Sequence, residues 1–427
     1  MTYHNAIKYI KNAPDVAPTD QSAKERINLL FNALSNPQKK TKYVRLAGSN
    51  GKSVYAQMIT SGLNCAGITS GYVTMQILSD FRENVKINGN PLSIDEIVKF
   101  TEIVILATAK INAASKEKNP GSNVTFVPTI HEIILCIAMI AFAEKCCKLV
   151  FIESDHNTGD PSLYLPTPIS IVICGSIPSD DDEIRKIIHS YLQKGINEIV
   201  SVPQNNTALN LITKHCQKIN CRLTMSTPAR ASILSTNLRG TKFTYDKIEY
   251  TLKICGKFQV GNAILAIESL KMLNRNNYCI TEKNLIDGLA KTTLPSKFEV
   301  ISISPTIIID STHTPIAIKM VTASLAELKS FTGNKVRLCL TDVELCDYYK
   351  EALLKKGYEI ESIIAVSQGE SSATTQDGDA ILLRKIPKQA AKLALANLTE
   401  DTLLLVSGRS DIAEKIRYEI CSALAFK

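Results

Sequence analysis

The chain has 427 residues, 45% of them apolar and 21% charged, and 49 basic against 41 acidic side chains leave a net charge of +8. This is the balance of a soluble globular protein long enough for two or three domains. The small positive excess suits anionic small molecules such as nucleotides or polycarboxylates, and without a basic run or a basic–aromatic stripe it argues against nucleic acid.

Twelve cysteines occur with no CxxC pair, behind an N-terminus, MTYHNAIKYI, that lacks an apolar signal core. They read as buried or free thiols in a reducing, cytoplasmic compartment. The most apolar run, Ile133 to Ala143, is shorter than the ~20 residues of a membrane span and reads as a buried helix.

In chain order, Ile27, Leu30, Phe31 and Leu34 share one face of a helix over 23–35, which Asn36-Pro37 ends. A short strand at 43–47 runs into a glycine-bounded loop, Gly48 to Gly51, and a helix from Lys52 to Cys65. Residues 79–92 are polar and turn-rich. Ser93, with Glu96 three residues on, caps a helix over 94–110; 111–127 reads as a polar loop and 129–145 as a buried helix. Leu149-Val150-Phe151-Ile152, ending in Glu153, and 169–174 are continuous apolar runs of the kind found in parallel strands covered on both faces, and 198–202 is a third strand after a helix near 182–194. Residues 242–254 alternate around Asp246-Lys247 and predict a hairpin, followed by helices at 257–273 and 282–291. Strands at 306–310, 336–341, 362–366 and 402–406 then alternate with helices at 315–330, 344–356, 387–397 and 410–424, the pattern of a doubly wound domain beginning near residue 296. There is no internal repeat.

The segment that carries chemistry is Gly48-Ser49-Asn50-Gly51-Lys52-Ser53. Glycines let backbone N–H groups turn toward an anion, and the helix that follows adds its positive end. In such a loop Lys52 reaches the outer phosphates and Ser53 offers a hydroxyl to Mg2+. The spacing is GxxGKS; the longer GxxxxGKS is absent, because position 46 is Leu. A plain strand–helix turn with an exposed lysine is the alternative.

The flanks extend this signal. Glu25 to Ser53 (ERINLLFNALSNPQKKTKYVRLAGSNGKS) resembles the N-terminal signature of the folylpolyglutamate and dihydrofolate synthases of the Mur ligase superfamily. Arg82 to Gly89 resembles that family's RERI-x-ING, and Glu132 its FE helix. Gly256, Gln259, Asn262 and Ala263 reproduce GxHQxxNA; Pro295 to Glu299 resembles PGRFE, Asp310 to Pro315 DGAHNP, and Val406-Ser407-Gly408 VTGS. The segments follow the family's order across about residues 3–420.

The resemblance implies an α/β fold with a Mur-ligase-like P-loop central domain (1–295) and a smaller Rossmann-like C-terminal domain (296–427). It implies an ATP- and Mg2+-dependent ligase of folate and one-carbon metabolism, in which a folate-type carboxylate is phosphorylated and glutamate's amine displaces the phosphate. Monomers are usual in the family, and no membrane partner is implied. By the same resemblance Gly48, Ser49, Asn50, Gly51, Lys52 and Ser53 cradle the phosphates, Ser53 and Glu153 hold Mg2+, Gln259 and Asn262 lie near the adenine or the loop, and Lys297, Asp310 and His313 meet the nucleotide from the C-terminal domain. Lys52, Glu153 and His313 form the expected catalytic set.

Several positions depart from the pattern. The family's EVGLGGRLDATN is Glu153-Ser154-Asp155-His156-Asn157-Thr158-Gly159-Asp160 here. Its metal-ligating histidine falls at Ser179-Asp180-Asp181, where Asp180 or Asp181 either replaces it or forms an acidic helix start. Its TSPH serine aligns with Met75, a poor magnesium ligand beside Thr74. Its carbamylated lysine aligns with His189, either a substitute ligand or a helix-surface histidine. Thr314 stands for Asn, and Lys297 for Arg, losing the bidentate fork. The sequence therefore predicts a ligase. The alternatives are a nucleotide-binding relative that has lost turnover, a Mur-type ligase for another carboxylate, and an unrelated P-loop transferase or ATPase; the last explains neither the Asp310–His313 nor the Gln259–Asn262 segment.

Overall fold

The computed structural model describes residues 1–16, 22–48, 51–78, 80–118, 125–153, 162, 165, 170–177, 181–192, 195–312, 314–366, 373–374, 380–384, 386 and 387–425, although the side chains of Asp181, Glu183, His189, Tyr191, Ile316, Ala373, Thr374, Ala380, Ile381 and Arg384 lie outside this description. The chain divides into two compact units, one of Met1–Thr227 with Asn262–Gly288, the other of Pro228–Gly261 with Leu289–Lys427.

The first unit is built on eight strands: β1 (Lys42–Ala47), β2 (Ser70–Thr74), β3 (Val85–Ile87), β4 (Asn90–Pro91), β5 (Leu149–Glu153), β6 (Ile171–Cys174), β7 (Glu198–Ser201) and β8 (Arg222–Met225). Their spatial order is β4-β3-β2-β5-β1-β6-β7-β8. The six from β2 to β8 run parallel, and β3 and β4 add an antiparallel edge.

Helices α1 (Tyr3–Lys11), α2 (Ala23–Ala33), α3 (Lys52–Cys65), α4 (Ile94–Lys118), α5 (Ile130–Glu144), α6 (Asp181–Tyr191) and α7 (Asn206–Ile219) belong to this unit. So do α8 (Phe258–Arg275) from Asn262 onward and α9 (Glu282–Lys291) up to Gly288. The apolar strand runs need cover on both faces, and two cores supply it. Val73, Met75, Val150 and Ile152 pack with the buried faces of α1, α2, α4 and α5, whereas Val172, Cys174 and Ile199 pack with α6 and α7. The long apolar run of 133–143 is thereby a core helix, and among the described residues no helix is long and apolar enough to cross a membrane.

Ser93 and Glu96 form the expected reciprocal cap, with Ser93 N–H donating to Glu96 Oε2 at 2.8 Å and Glu96 N–H to Ser93 Oγ at 3.2 Å. The helix does not stop near 110, however. It continues to Lys118, because Ile111 still packs on the core and the residues after it are good helix formers. The turn-rich stretch 79–92 contains the β3–β4 hairpin, reversed at Asn88-Gly89 with φ of 52° and 83°, the pair a tight reversal favours.

The second unit opens with a three-stranded meander, β9 (Ala231–Asn237), β10 (Gly240–Tyr245) and β11 (Ile248–Leu252). Asp246 and Lys247 turn the expected hairpin at φ of 51° and 68°.

A seven-stranded sheet follows: β12 (Glu299–Ile303), β13 (Thr306–Asp310), β14 (Lys335–Leu340), β15 (Glu359–Val366), β16 (Ala373–Thr374), β17 (Ala380–Arg384) and β18 (Thr402–Ser407), in the order β12-β13-β18-β14-β15-β17-β16. Strand β18 shows the doubly wound logic in miniature. Leu403 and Leu405 face the core shared with α10 (Pro315–Glu327) and α12 (Leu345–Leu354), between which α11 (Lys329–Thr332) falls in sequence, while Leu404 and Val406 face α13 (Pro387–Leu395) and α14 (Ser410–Ala425). This is the Rossmann-like layer arrangement that the alternation after residue 296 predicts.

Candidate phosphate-binding site

The site stands at the carboxyl ends of β1, β2 and β5, where parallel sheets place ligand chemistry. Strand β1 ends at Ala47 and α3 begins at Lys52, and of the glycine loop between them Gly48 and Gly51 are described. Gly48 has φ +107° and Gly51 φ +79°. A Cβ on Gly48 would meet the Gly175 backbone carbon at 2.9 Å, and one on Gly51 would meet Asn262 Oδ1 at 2.9 Å. Gly48 is therefore required by conformation and by backbone crowding, and Gly51 by conformation, while Asn262 lies directly against the loop. Tyr55, fully buried one turn into α3, donates its hydroxyl to Ala47 O at 3.0 Å and braces the strand end; burial holds its pKa well above the ordinary value.

Lys52 Nζ donates to Gly48 O at 2.8 Å and stands 3.7 Å from Glu153 Oε1. The sheet register sets Glu153 beside Leu46 of β1 and Thr74 of β2. The second oxygen of Glu153 accepts a hydrogen bond from the Tyr72 hydroxyl. Burial and the neighbouring Glu153 carboxylate raise the Tyr72 pKa well above that of a free phenol, so it stays a donor. Ser53 is exposed in the first turn of α3.

Of the residues expected from the sequence, Gly48, Gly51, Lys52, Ser53, Glu153 and Asn262 thus come together in the first unit. Ser49, Asn50, Asp180 and His313 lie outside the described residues. Asp181 is the first residue of α6, and His189 lies within that helix; neither side chain is among those described. Met75 is fully buried in the core of α1, α2, α4 and α5, and only its N–H takes part, donating to Glu153 O at 3.0 Å.

Gln259, Lys297 and Asp310 lie in the second unit. Gln259 is buried near the start of α8. Lys297 Nζ donates to Ser311 Oγ at 2.7 Å. Asp310, at the end of β13, accepts the Phe298 N–H at 2.8 Å through Oδ2, while its buried Oδ1 makes no hydrogen bond of good geometry. Burial raises its pKa, against the lowering effects of Thr312, Lys297 and the Phe298 amide.

The residue that sequence reasoning missed is Tyr72. Strand alternation was the available signal: Val73 and Met75 face the helical core, which turns Tyr72 and Thr74 to the other face.

The donor set fits a magnesium ion. Ser53 and Glu153 offer hard oxygens, and the described residues hold no cluster of three or more His, Cys, Asp or Glu that would form an all-protein cage. Magnesium is characteristically held by one or two protein oxygens together with substrate phosphates and water.

No protein-family model matches the sequence. The folylpolyglutamate synthase of Lacticaseibacillus casei is 25% identical over 444 aligned residues, covering 95% of this chain and 99% of that protein. The dihydrofolate synthase/folylpolyglutamate synthase of Bacillus subtilis is 25% identical over 67% of this chain and 68% of its own length. Among solved structures, the apo form of the L. casei enzyme superposes with a TM-score of 0.78 at 19% identity, covering 99% of this chain and 100% of that one. The Mycobacterium tuberculosis folylpolyglutamate synthase complexed with ADP and AMPPCP gives 0.74 at 17% identity, covering 98% and 99%. The chain is thus a distant relative of the folylpolyglutamate and dihydrofolate synthases and shares their fold over nearly its whole length.

Proposed function

We propose that the chain is an ATP-dependent carboxylate–amine ligase that adds glutamate to a folate-type carboxylate through an acyl phosphate. The observation that carries this reading is the convergence of Lys52 and Glu153 beside Gly48 and Gly51 at the start of α3. Relatives named folylpolyglutamate synthase support it, as does the likeness to a solved FPGS–AMPPCP–folate complex, at a TM-score of 0.74.

In this reading the amides of the loop and of the first turn of α3 receive the phosphates. Lys52 exchanges its bond to Gly48 O for the outer phosphates, and Ser53 and Glu153 hold Mg2+. When bound, the ion neutralises charge on the phosphoryl oxygens and orients them.

A substrate carboxylate oxygen attacks the γ-phosphorus, the bond to the β–γ bridging oxygen breaks, and ADP leaves. The amine of glutamate then attacks the acyl carbon, loses a proton and expels phosphate. Lys52 is placed to stabilise charge on the transferring group. Gln259, Asn262, Lys297, Asp310 and His313 are the remaining proposed nucleotide contacts. Asp180 is a proposed additional metal ligand.

The test is ADP release by the full chain with ATP, Mg2+, glutamate and a panel of folates, with the product weighed by mass spectrometry. A mass gain of one or more glutamyl residues supports the ligase. One observation favours a second reading: the buried Met75 puts no oxygen where the family has its serine hydroxyl. Tight, Mg2+-dependent nucleotide binding without ADP release on any folate, or on any of a wider panel of carboxylates, would establish that reading, a nucleotide-binding protein without turnover, in place of the ligase.

A further inference from the structure

The Glu153 carboxylate is held from both sides. Its Oε1 faces Lys52 Nζ at 3.7 Å, and its Oε2 accepts the Tyr72 hydroxyl. Tyr72 is held in turn by its strand, which pairs it with Phe151 and pairs Thr74 with Glu153, so the phenol rises from the same sheet face as the carboxylate it meets. At 8% exposure the ring has little freedom to leave. Just past the end of that strand the side chain of Met75 points into the core. Among the described residues, Tyr72 is the side chain of β2 that bonds Glu153.

We propose that Tyr72 is a positioning residue for the metal site: its hydroxyl fixes the rotamer of Glu153 and occupies Oε2, so that Oε1 alone is presented to a Mg2+ entering with the nucleotide. Octahedral magnesium accepts a carboxylate most readily through one oxygen, and a carboxylate free to rotate would lose orientation entropy on each binding event. Partners of this kind, one bond behind the ligand, orient metal-binding groups throughout metalloprotein sites. The inference rests on the proposed role of Glu153 and adds a residue to it.

The experiment is calorimetric titration of AMPPCP into the full chain, with and without Mg2+, for wild type and Tyr72→Phe. The readout is the ratio of the two affinities. A merely structural role would weaken both affinities together and leave the ratio alone. Tyr72→Phe is expected to keep the metal-free affinity and to lower the gain from Mg2+ by about 10- to 100-fold, the usual effect of losing such a partner. In a Glu153→Gln background the same substitution is expected to change nothing further. If Tyr72→Phe does not fold, Tyr72→Leu carries the same measurement with a smaller apolar side chain. An unchanged ratio in a folded variant overturns the proposal. A wild-type protein with no gain from Mg2+ removes the metal role of Glu153 itself, and Tyr72's with it, so the two failures are told apart.

Discussion

The Arg26 guanidinium grips the Glu132 carboxylate in a fork, Nε to Oε1 at 2.9 Å and Nη2 to Oε2 at 2.8 Å, with both side chains buried. Glu132 Oε2 also accepts the Thr129 N–H at 2.8 Å and closes the cap of α5, while Arg26 lies 4.6 Å over the Phe126 ring and donates to Val127 O at 2.7 Å. One ion pair thus ties α2, the 126–129 segment and the start of α5. Removing one partner leaves a buried charge uncompensated, so Glu132→Ala is expected to cost about 3–5 kcal/mol. The double variant Arg26→Met/Glu132→Leu, which removes both charges and keeps bulk, is expected to recover most of that loss. Urea denaturation of wild type, Glu132→Ala and the double variant measures both outcomes.

Lys52→Ala tests the phosphate loop. The lysine is only part-buried and bonds its own loop, so its loss is expected to leave the melting temperature nearly unchanged. A charge-assisted bond to phosphate is worth about 1.5–3 kcal/mol, so nucleotide affinity is expected to fall roughly 10- to 150-fold. Calorimetry on the folded variant gives the answer; an affinity equal to that of wild type would remove Lys52 from the site.

The strand–loop–helix around Lys52 was legible because each part announces itself: an apolar run, two glycines, then helical spacing. Glu153 was legible as the polar end of a buried strand. What the sequence hid was pairing and packing. Strand β8 shows no apolar run, since it forms the sheet's open edge and none of its residues is buried. Helix α7 buries only Ala208, Ile212 and Cys216 along its length, too sparse a stripe to stand out. Tyr72 could be assigned a face by alternation, but its bond to Glu153 depends on which strand lies beside β2, a long-range fact with no local trace.

Met75 gives a prediction about the altered metal position. Its side chain is fully buried in the core shared by Val73, Phe81 and Val85. Met75→Ser, the substitution that restores the family's hydroxyl, removes buried volume and strands a polar group. It is expected to lower stability by about 2–5 kcal/mol and to leave the Mg2+-dependent gain in nucleotide affinity where it was. A rise in that gain would show that the loop can turn residue 75 toward Glu153, against the packing seen here.

Asp310 yields a pH prediction. Burial raises its pKa in the folded state, although Thr312, Lys297 and the Phe298 amide pull the other way. The native protein then holds its proton more firmly than the unfolded chain, so stability falls as pH rises from the ordinary aspartate value of about 3.9 through the higher folded value. Above that window the ionised, buried carboxylate carries its full cost. Asp310→Asn keeps an acceptor for the Phe298 N–H and removes the charge, so its melting temperature is expected to exceed wild type's at neutral pH and the difference to shrink on acidification. Melting curves at a series of pH values decide this. If Asp310 also contacts nucleotide, the more stable variant binds AMPPCP less well, and a gain in stability beside a loss of affinity is what distinguishes a carboxylate kept for ligand binding from one kept for the fold.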